Sequence, residues 1–116
     1  MEQEFGQCDD GQLLAIINGC LDALTDDRLR LPTDAEQLEL LQHGVRLGAR
    51  LQAWQQQLAA AIEKSEAAWN EHKTSTRTWL AESMNLTGRE AARLIKAGQG
   101  LNRFPIIRDA TLTGTV

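Results

Sequence analysis

A chain of 116 residues with 42% apolar and 24% charged residues suffices for one globular domain with a modest core. Two prolines, no tyrosine and abundant Ala, Leu, Gln and Glu argue against a sheet and predict an almost entirely helical protein. The net charge of −4 excludes a basic protein overall, and two cysteines are too few for a disulfide scaffold.

The first ten residues, Met1 to Asp10, are acidic where a secretory leader needs a basic stretch and an apolar run, so the cytoplasm is the expected location. The longest apolar run, Leu58 to Ile62, is far too short to span a bilayer. Asp9 or Asp10 caps a first helix over 11–24, which places Leu13, Leu14, Ile17, Leu21 and Leu24 on its inner face. Cys20 falls among these residues as a buried thiol. Asp26, Asp27 and the Leu31-Pro32 step end this helix.

Thr33 and Glu36 form a T-x-x-E capping box that opens a long helix over 34–72, with Pro32 fixing the approach of the chain. Its main apolar row is Leu40, Leu47, Leu51, Trp54, Leu58, Ile62 and Trp69. At 1.5 Å rise per residue the helix extends about 55 to 60 Å, against a radius of gyration of about 13 Å for a compact domain of this size. Either Gly44 and Gly48 break it in two or its apolar row meets something outside its own fold. Leu47, Leu51, Trp54 and Leu58 are the expected partner interface, facing a second copy or a further domain. A weaker row of Leu38, Leu41 and Val45 supports the same expectation.

The segment 76–103 reads as a helix-turn-helix-like unit. Trp79, Leu80, Ala81 and Met84 supply the apolar face of its first helix. Asn85 tolerates the left-handed backbone that such a turn needs, Leu86 plugs the turn, and Thr87 with Glu90 caps the next helix. In that helix Ala91, Leu94, Ile95 and Gly98 share one face, and Arg89, Arg93 and Lys96 share another. Arg103 extends the cationic stripe if the helix survives Gly98 and Gly100, which together predict fraying. Gly98-Gln99-Gly100 follows no strand and lacks the later glycine of a dinucleotide loop, leaving a helix end or a close backbone contact as its meaning. In a DNA-binding helix-turn-helix the second helix enters the major groove, where arginine pairs with guanine and lysine with phosphate. Arg89, Arg93, Lys96 and Arg103 are therefore the candidate nucleic-acid contacts. The alternative is a solvated face on a structural helix pair.

Charge is divided unevenly. From Lys73 onward seven basic residues stand against three acids, and before it five stand against thirteen. A local nucleic-acid footprint is thus compatible with an acidic chain, as is simple attraction between the two halves.

Catalytic constellations are scarce. His43 and His72 are far apart and lack cysteine or acidic neighbours at a metal-binding spacing, and Asp26-Asp27 reads as a solvated pair. No catalytic residue, metal or cofactor is expected.

At Trp79-Leu80-Ala81, then Arg89-Glu90-Ala91-Ala92-Arg93, then Leu101, Pro105, Ala110 and Gly114, the chain resembles the actinobacterial family known as domain of unknown function 222. The resemblance covers about the last 40 residues; upstream only a helical, Ala- and Gln-rich character is shared. It implies an amino-terminal helical domain of the kind that commonly precedes an HNH nuclease domain, a metal-dependent DNA-cleaving fold. That nuclease domain is absent from this sequence, so the chain is expected to be a shortened version, and only Arg89, Glu90 and Arg93 carry over. Taken together, the sequence predicts an all-α helical bundle over 1–116 that contacts DNA without catalysing a reaction, or alternatively a helical oligomerisation or docking module.

Overall fold

The computed structural model describes residues 5–26 and 33–114, with the backbone alone at Pro105 and Ile107. The fold is all-α. The helices are α1 (Asp10–Leu24), α2 (Asp34–Ser65), α3 (Ala67–His72), α4 (Thr76–Ser83), α5 (Gly88–Arg103) and α6 (Pro105–Thr113). The chain divides into two compact units, 1–36 and 37–116.

In the first unit, Asp9 starts α1 with a capping box. Its Oδ1 accepts from Gln12 N–H at 2.7 Å, and Asp9 N–H donates to Gln12 Oε1 at 2.9 Å. The helix ends at Thr25, whose hydroxyl donates to the Leu21 carbonyl. Asp27, Leu31 and Pro32, also expected to stop it, lie outside the described residues. Helix α1 has no buried residue, and Cys20, expected to be buried, is exposed.

Helix α2 opens on the expected box, with Glu36 N–H donating to Thr33 Oγ1 and Thr33 N–H to Glu36 Oε1, both at 3.3 Å. It passes Gly44 and Gly48 without interruption. The break comes later. At Glu66 the backbone turns left-handed, with φ of 57°, which ends α2 at Ser65 and starts the short α3, so the single helix expected over 34–72 is corrected to two. Lys73 repeats the device at the end of α3, with φ of 56°.

The core of the second unit lies towards its carboxy-terminal end. Ala59, Leu80, Ala91 and Ile95 form a buried cluster against which Trp79, Ala81 and Leu94 pack. Its alanines matter because α5 crosses α2 at very short range. A Cβ built on Gly98 would collide with the Gln56 carbonyl oxygen and lie 2.9 Å from Ala60 Cβ. Only glycine fits there, and the packing it permits offsets the about 1 kcal/mol that a helical glycine costs. Helix α5 consequently runs through Gly98 and Gly100 to Arg103, where fraying was expected.

Helix α6 was not foreseen. Pro105 sits in its first turn and Gly114 ends it with φ of 79°, the usual placement of these two residues around a helix. Arg50 of α2 secures its end, Nε donating to the Leu112 carbonyl at 2.9 Å.

Candidate nucleic-acid interface

The turn between α4 and α5 fixes the direction of the cationic face. Helix α4 begins at Ser75, whose Oγ accepts from Thr78 N–H at 3.1 Å. It closes with Asn85 in the left-handed region, φ 54°, and Leu86 N–H donating back to the Ala81 carbonyl at 3.1 Å. That six-residue closure is the Schellman arrangement, which needs a residue tolerant of positive φ where Asn85 stands. Leu86 is half-buried in the turn, whereas Met84, expected on the inner face, is 54% exposed.

Helix α5 starts one residue beyond Thr87. Thr87 Oγ1 accepts from Glu90 N–H and Glu90 Oε1 accepts from Thr87 N–H, each at 3.0 Å. These bonds from Thr87, with a smaller contribution from Arg93, hold the Glu90 carboxyl below its ordinary value of 4.5. The box sets the rotation of α5, because it locks the first turn while Ala91, Ile95 and Gly98 are buried.

Arg89, Arg93, Lys96 and Arg103 are then all exposed. They lie on the face away from Ala91 and Gly98, along about 21 Å of helix at 1.5 Å per residue. No hydrogen bond or ion pair among the described residues engages the side chain of Arg89, Lys96 or Arg103. The same holds for the side chain of Arg77 of α4. Its Nη2 lies 3.1 Å from where a Cβ on Gly88 would sit, so its guanidinium covers the first turn of α5. This brings a cation from α4 over Gly88 at the positive end of the α5 dipole. The contact crosses the turn, so helical periodicity within either helix could not reveal it.

The expected partner row on α2 is only partly covered. Leu51 and Trp54 are half-buried, while Leu47 and Leu58 are 50% and 45% exposed. Further towards the start of α2, Leu38, Leu40, Leu41 and Val45 are 55–68% exposed. Among the described residues no three His, Cys, Asp or Glu side chains are grouped to hold a metal ion, and no helix is long and apolar enough to cross a membrane.

No family model, curated protein or solved structure matches the chain.

Proposed function

We propose that this chain is a non-catalytic helical module, of the kind that precedes the nuclease in HNH endonuclease-type proteins, and that it contacts DNA through α4 and α5. The observation that carries this reading is the unpaired cationic stripe of Arg89, Lys96 and Arg103, with Arg93 among them, on a helix whose other face is fixed in the core. A merely solvated basic face is usually threaded with acids at helical spacing, and the one acid in this helix, Glu90, is spent on the capping box.

Length assigns the roles. The stripe of about 21 Å exceeds the about 12 Å width of a B-DNA major groove. Arg89 and Arg93, near the start of the helix, are placed to meet base edges, as the first residues of a recognition helix do. Lys96 and Arg103 then meet phosphates, with Arg77 doing the same from α4. The test is binding of mixed-sequence duplex by the parent chain and by an Arg89→Glu, Arg93→Glu variant. Abolished binding in the variant with unchanged helicity supports the reading, and parent-like binding refutes it.

The exposed row on α2 favours a second, compatible reading, in which a second copy of the chain packs against Leu40, Leu47 and Leu58. Charge order selects this occupant over an unrelated domain. Glu39 precedes Arg46 on the flank beside the row, so an antiparallel copy sets acid against base.

A further inference from the structure

Helix α5 carries two glycines near its end, and packing accounts for only one of them. Gly98 lies against α2, whereas a Cβ built on Gly100 would meet nothing within 4 Å. Gly100 is exposed, and it costs the helix stability that an alanine would return. Arg89, Arg93, Lys96, Gly100 and Arg103 follow one another at helical steps of four and three, so this glycine interrupts the cationic stripe itself. Phe104 comes four residues after it, between α5 and α6, and is 59% exposed. Its N–H donates to the Leu101 carbonyl at 3.2 Å, which keeps it on the last turn of α5. Residues four apart on a helix are neighbours. An open gap and an exposed aromatic ring therefore stand side by side at the far end of the stripe, with Ile106, 86% exposed, extending the apolar surface. A single exposed apolar side chain needs no explanation, but a ring beside a glycine that the fold does not require has one in a ligand that uses both.

We infer that Gly100 and Phe104 form a seat for one unpaired nucleobase, so that the chain prefers DNA containing such a base over intact duplex. The inference rests on the reading of α5 as a DNA contact and names the class of DNA. Every base has a face that stacks on an aromatic ring whatever its sequence. The missing side chain at Gly100 lets the sugar and phosphate of that nucleotide approach the helix backbone, while Lys96 and Arg103 on either side neutralise the phosphate. A paired base lies inside the helical stack, out of reach of a residue at the end where α5 meets the DNA backbone. A base that has swung out of the stack passes beyond the backbone and comes within reach. Charge favours this occupant over a protein surface. No Asp or Glu occurs between Glu90 and Asp109, whereas Arg93, Lys96, Arg103 and Arg108 do, so the ring is set among cations suited to a polyanion. An anionic membrane would use the ring and the cations but has no use for the gap.

The test is fluorescence anisotropy of the full chain with three labelled DNAs of one sequence: an intact duplex, the same duplex with a single bulged base, and the single strand. The bulged duplex should bind about tenfold more tightly than the intact one, the scale of one base stacked on one ring. Phe104→Ala should abolish that preference while leaving affinity for intact duplex unchanged, and Phe104→Trp should retain it. Gly100→Leu fills the gap with a good helix former, so it should abolish the preference without lowering the unfolding temperature. Binding of the bulged duplex above the single strand assigns the unpaired base to duplex DNA, and the reverse order assigns it to single-stranded DNA. Equal affinity of the parent chain for intact and bulged duplex, or a preference that survives Phe104→Ala or Gly100→Leu, overturns the inference and leaves the DNA reading of α5 standing. Absence of binding to all three DNAs overturns both. If Phe104→Ala keeps the bulge preference and instead lowers binding to phosphatidylserine vesicles, the ring serves a membrane surface and the inference fails.

Discussion

Gly98 meets Gln56 backbone to backbone, so close that a Cβ on the glycine would fall 2.6 Å from the Gln56 carbonyl carbon. Gly100, two residues on in the same helix, has nothing within 4 Å of its own Cβ position. The two glycines should therefore respond in opposite directions. Gly98→Ala forces α5 away from α2 and should cost about 1–3 kcal/mol or more, as overpacking does. Gly100→Ala removes a helix penalty and should gain up to about 1 kcal/mol. Urea unfolding of the two variants reads both signs, and a loss at both positions would contradict the packing described.

Asn85 holds the turn at φ of 54°. Replacing it with glycine should leave stability nearly unchanged, because glycine occupies that region freely. Asn85→Val should cost about 1–2 kcal/mol, and should also misdirect α5. Thermal unfolding of the pair separates a conformational requirement from a side-chain contact, since the contact would be lost equally in both variants.

The Glu90 carboxyl is held below its ordinary value by Thr87. A group whose pKa is lowered on folding contributes stability above its unfolded pKa and loses it as pH falls through the folded one. The first turn of α5 should consequently loosen as pH drops below 4.5, seen as faster amide exchange at Glu90 and Ala91 relative to the rest of the helix. In Glu90→Gln, whose amide oxygen still accepts the Thr87 bond, this acid-dependent change should vanish. Its persistence would assign the effect to other carboxylates.

Leu47 and Leu58 are exposed enough to accept charge without disturbing the core. If a second copy covers them, the parent chain should sediment as a concentration-dependent dimer, and Leu47→Glu with Leu58→Glu should sediment as a monomer with unchanged helicity. A parent that stays monomeric at all concentrations removes the self-association reading.

Legibility in the sequence followed the range of the interaction. The caps at Thr33 and Thr87 and the turn at Asn85 depend on neighbours three to five residues apart, and the letters reveal them. The break at Glu66 did not show, because glutamate has no preference for the left-handed region and neither glycine nor proline marks the site. Gly44 and Gly48 looked like a break and were not, since about 1 kcal/mol per glycine is small against a helix of 32 residues. Helix α6 had its signals in Pro105 and Gly114, but its mixed β-branched composition obscured them. At the candidate interface the stripe itself was legible. The reach of Arg77 to Gly88 and the contact of Gly98 with Gln56 were not, because both depend on how two helices meet.

The central claim is that the α5 stripe meets DNA phosphates and bases, and the most direct measurement is the salt dependence of duplex binding by fluorescence anisotropy. Each neutralised phosphate contributes about −0.9 to the slope of log K against log salt. Three phosphate contacts from Arg77, Lys96 and Arg103 thus predict a slope of about −3. Lys96→Ala with Arg103→Ala should flatten it by about 2 and weaken binding. Absence of binding at low salt, or the same slope in the variant, would contradict the account and leave the stripe as a solvated face.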